Sequence, residues 1–131
     1  MIIFDFTILD GDNSKLRKIL SQNEYRYPDI LKITGDFQIL VNGNVFFLEP
    51  HFPILEFVKY ALEWINCSDE SKEMSYSSVE TEDNPLLTFK KKDEGWLIHS
   101  PWQKYECLVS FTRDEITEAI LSLLETLSMN A

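Results

Sequence analysis

The dipeptide Asn42-Gly43 lies between two apolar runs and constrains the fold more than any other feature of the sequence. Residues 37–41 before it carry large apolar side chains at every second position, and residues 45–48 after it are apolar throughout. Asparagine and glycine both tolerate positive φ, so Asn-Gly between two such runs is the strongest short-range signal for a tight hairpin. The sequence therefore predicts an antiparallel pair of strands joined at residues 42–43.

Several other stretches have the composition or the alternation of short strands. Residues 2–9 place Phe4, Phe6 and Ile8 on one face, which is typical of a half-buried strand. The remaining predicted strands are residues 30–34, 74–79, 86–90, 96–100 and 105–111. Together with the hairpin, these segments predict an antiparallel meander.

Three stretches with helical spacing of apolar residues separate and follow the strands. The polar turn at residues 10–14 can cap a short helix that ends near Asn23. A longer helix is predicted from Pro53 to about Asn66, because proline fits the first turn of a helix. Its apolar stripe should lie against the sheet, with three charged side chains facing solvent: Glu56, Lys59 and Glu63.

The last helix has the clearest start. Thr112 stands three residues before Glu115, which is the spacing of a capping box, and an apolar stripe follows as far as Leu127. The order of elements is then strand, short helix, strands, helix, strands, helix. This order predicts one α+β domain over residues 1–131, an antiparallel β-sheet meander with two longer helices and one short helix packed on it.

Residue chemistry gives little reason to expect an enzyme, a metal or a cofactor. His51 and His99 have no neighbours at metal-ligand spacing, and the alternation of residues 105–111 places Cys107 in the interior as an inert thiol. The turn at residues 10–14 has clustered oxygen atoms but lacks the downstream glutamate of a calcium loop, which favours a capping turn. Two free cysteines, no signal-like start and no long apolar run indicate a cytoplasmic protein.

Charge is the strongest indication of the kind of partner. The chain has 22 acidic and 12 basic side chains, a formal net charge of −10. The excess is densest in residues 69–83, where Lys72 is the single base among six acids: Asp69, Glu70, Glu73, Glu80, Glu82 and Asp83. A field of this sign repels nucleic acid and anionic membranes and attracts basic proteins.

Two segments carry a resemblance to a known group of proteins. Residues 76–89, which are acidic and strand-forming, and residues 95–102, which begin with Gly95-Trp96, resemble small bacterial immunity proteins. Such proteins protect a cell from a polymorphic or contact-delivered toxin of its neighbours. The resemblance implies a non-enzymatic protein that neutralises a cognate toxin, with a cationic nuclease domain as the expected partner, because a nuclease needs positive charge to hold a phosphate backbone.

Carboxylates can occupy the positions of phosphates, and aromatic anchors can add affinity. The candidate partner-binding residues are Asp69, Glu70, Glu73, Tyr76, Glu80, Glu82, Asp83 and Trp102. Core packing remains an alternative for Tyr76 and Trp102, and a solvated linker remains one for the acids. Two other functions stay open: an acidic adaptor module unrelated to toxins, and a small-molecule-binding protein with a pocket between sheet and helices.

Overall fold

The computed structural model describes residues 1–131, with the exception of the side chain of Ile8, so the predicted inward direction of Ile8 lies outside the described part. The elements in chain order are β1 (Ile2–Asp10), α1 (Asn13–Gln22), a 3-10 turn (Asp29–Leu31), β2 (Thr34–Val41), β3 (Asn44–Phe52), α2 (Ile54–Ile65), β4 (Met74–Tyr76), β5 (Leu87–Lys92), β6 (Gly95–His99) and α3 (Arg113–Met129).

The strands form two antiparallel sheets. The predicted α+β class is therefore confirmed, but the strands are divided between two sheets and do not form the single meander that the sequence predicts. The first sheet has the order β1-β2-β3 and the second has the order β4-β5-β6. The chain passes from one sheet to the other through α2, which packs beside β4 and β2. The two sheets share one hydrophobic core, in which Phe4 of β1 stacks on Phe89 of β5 at 6.1 Å.

The hairpin between β2 and β3 has the turn that the sequence predicts. Val41 pairs with Asn44, and the two turn residues between them, Asn42 and Gly43, have φ angles of 50° and 84°. Positive φ at both central positions matches the right-handed twist of the flanking strands. Beyond the turn, the register shifts between Ile39 and Leu40, which inserts a bulge into the pair.

Side-chain caps fix the starts of α1 and α3. The carboxylate of Asp12 accepts a hydrogen bond from the amide of Ser14 at 2.8 Å, so the turn at residues 10–14 is a capping turn. At α3, the amide of Glu115 donates to the hydroxyl of Thr112 at 3.0 Å, and the amide of Thr112 donates to the carboxylate of Glu115 at 3.1 Å. The predicted capping box is therefore confirmed.

Aromatic side chains dominate the core beneath the first sheet. Phe37 of β2 is fully buried and lies 4.8 Å from the ring of Phe52 and 5.4 Å from that of Phe57 on α2. Aromatic pairs at such distances contribute about 0.5–1.5 kcal/mol beyond the burial of their surface. This packing holds α2 against the inner face of the first sheet.

Two predicted strands are wrong. Residues 30–34 begin in the 3-10 turn, where the amide of Lys32 bonds to the carbonyl of Asp29 at 3.1 Å, and only Thr34 belongs to a strand, as the first residue of β2. Residues 105–111 follow a tight turn at Ser100, after which the amide of Lys104 bonds to the carbonyl of Phe46 on β3 at 2.7 Å. This bond leads the chain away from β6.

The segment rejoins β6 only at its end. Phe111 and Trp96 exchange two backbone hydrogen bonds of 2.8 and 2.9 Å as an isolated bridge. Between the turn and the bridge, Leu108 is 78% exposed and Val109 is 41% exposed. Cys107 is nevertheless buried, as its alternating position predicts.

Candidate partner-binding surface

The residues from Asp69 to Asp83 form a continuous acidic segment, which includes β4 and most of the loop from β4 to β5. All six carboxylate-bearing residues of this segment are exposed. The ion pairs found in the described part of the chain lie elsewhere and link Lys15 and Lys32 to Asp29, Arg26 to Glu24, and Lys59 to Glu63. The charge of the acidic segment is therefore not neutralised pairwise.

Uncharged donors hold three of these carboxylates in place. Asp69 accepts hydrogen bonds from the amide and the hydroxyl of Ser71 at 3.0 and 2.6 Å, and these bonds lower the pKa of Asp69. Glu73 accepts from the backbone amide of Lys91 at 2.9 Å. Asp83 accepts from the indole of Trp102 at 2.9 Å. Because none of these donors carries a charge, the carboxylates are positioned while their negative charge is retained.

A network around Asn84 shapes the loop from β4 to β5. The side chain of Asn84 accepts from the amide of Ser78 at 2.9 Å and donates to the carbonyls of Ser78 and Thr81 at 3.0 and 2.7 Å. These bonds close residues 78–84 into a compact turn. The turn presents Val79, which is 65% exposed, beside Glu80, Glu82 and Asp83.

Glu56 on α2 connects this loop to the body of the protein. Its side chain is fully buried, although the sequence pattern placed it on the solvent face, and that prediction is wrong. The carboxylate accepts hydrogen bonds from the hydroxyls of Tyr27 and Tyr76, each at 2.7 Å, and from the amide of Val79 at 3.3 Å. Three donors thus compensate for the removal of the anion from water.

Tyr76 belongs to the core and not to the surface. Its ring is fully buried, 5.1 Å from the ring of Tyr60 and 5.8 Å from that of Phe57. Burial, followed by the hydrogen bond to Glu56, raises the pKa of the Tyr76 hydroxyl. The prediction of Tyr76 as an anchor that a partner touches is therefore wrong, because the alternation of β4 directs this side chain inward.

Trp102 is half-buried and joins the acidic segment to the first sheet. Its ring stacks on Phe47 of β3, with centroids 6.5 Å apart and 15° between the planes, while its indole N–H is bonded to Asp83. The sequence left two alternatives open for Trp102, packing in the core and contact with a partner, and this position is compatible with both. The ring packs against the core, and its remaining exposed part lies beside the acids, so a contact with a partner stays a prediction.

The sequence reasoning missed the roles of two residues: Glu56, which is buried beneath the acidic segment, and Val79, which is exposed beside it. A signal for Glu56 does exist, since it interrupts an otherwise apolar run from Ile54 to Val58 at the first turn of the helix, where every side chain is buried. For Val79 there was no comparable signal. The predicted strand through residues 74–79 would have made Val79 part of the sheet. In the structure β4 ends at Tyr76, and Val79 lies in the loop that follows with its side chain exposed.

Other residues with reactive side chains are not brought together. His51 and His99 are both exposed, and the thiol of Cys107 faces the carbonyl of Val109 at 3.6 Å. Among the described residues, there is no group of three or more His, Cys, Asp or Glu side chains that could hold a metal ion. An open hollow of about 480 Å³ lies between the β5–β6 turn and the start of α3, and its lining includes Lys92, Leu108 and Glu115 but neither histidine.

The fold and the surface define a small α+β protein with one shared core and an exposed acidic segment, whose carboxylates are in none of the ion pairs found among the described side chains. The chain belongs to the family described as Domain of unknown function (DUF7878), whose model matches residues 4–130. No curated protein and no solved structure matches the chain. Within the part of the chain that the structure describes, no helix is long and apolar enough to cross a membrane.

Proposed function

We propose that this protein is an immunity protein that binds and neutralises a basic bacterial toxin, with a cationic nuclease domain as the expected partner. One observation carries the proposal: the six exposed carboxylates of the acidic segment take part in none of the ion pairs found among the described side chains. On a chain with a net charge of −10, this arrangement leaves a local concentration of negative charge available to a partner.

The arrangement of the acids fits inhibition of a nuclease. A nuclease surface that holds a phosphate backbone carries several Lys or Arg side chains, and these attract a row of carboxylates in the same way. Asp69, Glu73 and Asp83 are held by hydrogen bonds, so less conformational entropy is lost when a partner pairs with them. Electrostatic attraction of this kind chiefly raises the rate of association and the specificity.

An apolar contact is needed beside the charges if binding is to be tight. Val79 supplies a small one, because it projects from the loop between Ser78 and the acids at residues 80–83. The exposed part of Trp102 adds a larger side chain next to Asp83. In this proposal the protein acts in the cytoplasm, where the toxin arrives, and it works by occupying the toxin's surface and not by catalysis.

The test uses the product of the gene immediately upstream, expressed as a recombinant domain, because this proposal predicts that it is the toxin. Purified protein should form a 1:1 complex with this domain and should rescue cells that express it. Glu80→Lys/Glu82→Lys should slow association about tenfold or more at low salt, with a smaller effect at high salt. The matched control is Glu118→Lys/Glu125→Lys, which reverses two exposed charges on α3 and should leave the rate close to that of the wild type.

Three outcomes would count against the proposal. Absence of a complex with the upstream-encoded domain would remove the immunity function. A stable complex with a domain that is not toxic would favour an acidic adaptor module. Equal slowing by the loop variant and the α3 variant would show that net charge matters and that the position of the acidic segment does not.

A further inference from the structure

We propose that the outer face of the first sheet is a second docking surface, which contacts an aliphatic patch bordered by Lys or Arg on the same basic partner. This inference rests on the proposed function. We use "outer face" for the side chains of β1, β2 and β3 that point away from the core: Thr7, Asp5, Ile3, Asp36, Gln38, Leu40, Val45 and Leu48. On the opposite face the side chains are buried in the core, and α2 and α3 contact β2 and β1.

An aliphatic row crosses all three strands of the outer face. Ile3 pairs with Leu40, and Leu40 pairs in turn with Val45, so the three side chains lie next to one another. Ile3 is 38% exposed and Val45 is 36% exposed, and Leu48 on the next row of β3 is 42% exposed. Leu40, between Ile3 and Val45, is partly buried. Single exposed aliphatic residues are ordinary, whereas adjacent ones on one sheet face make that face a candidate contact surface.

Charge on the same face selects the kind of partner. Asp5 and Asp36 lie on the outer face of β1 and β2, and neither is in an ion pair found among the described side chains. The sequences of β1, β2 and β3 contain no Lys and no Arg. A surface that presents aliphatic side chains and carboxylates without any cation is complementary to an apolar patch with basic residues at its border.

The same charges argue against a second copy of this chain as the occupant. Two outer faces brought together would place Asp5 and Asp36 of one molecule against carboxylates of the other, in a pair of chains that each carry a net charge of −10. Like charges in contact across an interface oppose association. A basic partner has no such penalty.

The outer face and the acidic segment meet at β3. Trp102 is bonded to Asp83 of the acidic segment and stacks on Phe47, and the next residue of β3 is Leu48 of the outer face. One partner that covers Asp83 can therefore reach Leu48 around the edge of the first sheet. The acids would supply the attraction and the aliphatic row the apolar area that slow dissociation requires.

The experiment is calorimetry with the upstream-encoded toxin domain and variants of the outer face. Ile3→Thr/Val45→Thr keeps β-branched side chains in both strands and removes apolar surface, and it should weaken the complex about tenfold or more. Leu48→Gln is a second variant on the same face. The matched control is Leu121→Gln, which changes a 48% exposed leucine on α3 and should leave the dissociation constant close to that of the wild type.

Each outcome separates this inference from the proposed function. If the wild type does not bind the toxin domain, both are overturned. If the wild type binds and both outer-face variants bind equally well, the outer face is excluded while the immunity function stands. Light scattering on the free protein should give a monomer, and a dimer that the Ile3→Thr/Val45→Thr variant abolishes would assign this face to a second copy instead. Circular dichroism and urea midpoints close to those of the wild type would show that the variants are folded.

Discussion

Replacing Glu56 with alanine should strongly destabilise the protein, although this residue lies in no ion pair found among the described side chains. The carboxylate is fully buried and accepts hydrogen bonds from the hydroxyls of Tyr27 and Tyr76 and from the amide of Val79. It thereby links α2 to β4, to the acidic loop and to the segment before the 3-10 turn. Removal of the side chain leaves all three donors without their acceptor.

The loss of stability in Glu56→Ala depends on whether each of the three donors can form a hydrogen bond with another acceptor. The hydroxyl of Tyr76 lies on a fully buried side chain, so its loss of a partner costs about 1–3 kcal/mol. Tyr27 is 42% exposed and can turn to water. The lost burial of one methylene adds about 0.8 kcal/mol, and the partly buried amide of Val79 adds about 1 kcal/mol. Because the variant no longer buries a carboxylate, part of these costs is offset. The expected loss of stability is about 2–4 kcal/mol.

Urea denaturation followed by tryptophan fluorescence measures this difference. The matched control is Glu63→Ala on the same helix, where the side chain is 62% exposed and pairs with Lys59 at 2.8 Å, so its removal should cost about 0.5 kcal/mol. A cycle with Tyr76→Phe should show a coupling of about 1.5–3 kcal/mol between Glu56 and Tyr76, since a hydrogen bond to a charged group has that strength. If Glu56→Ala is no more destabilising than Glu63→Ala, the carboxylate does not hold these elements together.

Three further measurements test other parts of the structure. Because burial and then the hydrogen bond to Glu56 raise the folded pKa of Tyr76, its contribution to stability is complete below pH 10 or so and declines above it by up to about 1.4 kcal/mol per pH unit. Unfolding curves at about pH 9 to 11 should show this decline, and Tyr76→Phe should make it less steep without abolishing it, because the pKa values of Tyr25, Tyr27 and Tyr105 are raised as well. Gly43→Ala should cost about 1 kcal/mol in thermal unfolding, because φ is 84° and nothing lies within 4 Å of the added carbon. Thr112→Ala should cost about 1 kcal/mol by removing the cap of α3, and Thr112→Ser should restore most of it.

Local signals predicted the parts of the fold that short-range geometry determines. The turn at Asn42-Gly43 and the capping box at Thr112 each need only a few neighbouring residues, and both have the conformation that those residues favour. Periodicity likewise predicted α2 and α3 to within a few residues of their ends. These features do not depend on which elements pack together.

Long-range contacts account for the errors. The alternation of residues 105–111 fits a strand, yet the bond between Lys104 and Phe46 takes the chain toward β3, and only Phe111 pairs with β6. Nothing in the local sequence distinguishes these two courses. The division into two sheets has the same origin, because strand composition does not encode which strands become neighbours.

The candidate surface, like the fold, could be predicted from the sequence only in part. Net charge and its concentration in the acidic segment can be read directly from the sequence, whereas the geometry of the charges depends on residues far away in the chain. Glu56, 20 or more residues before the loop, holds Tyr76 and Val79, and Trp102, 19 residues after Asp83, holds its carboxylate.

A buried anion therefore orders the segment that carries the exposed anions. If this coupling is correct, Glu56→Gln should slow association with a basic partner by more than the loss of one distant charge explains, because the position of Val79 and the loop would be relaxed. Stopped-flow association at low and high salt separates the two effects. A purely electrostatic loss disappears at high salt, whereas a loss from disorder of the loop persists.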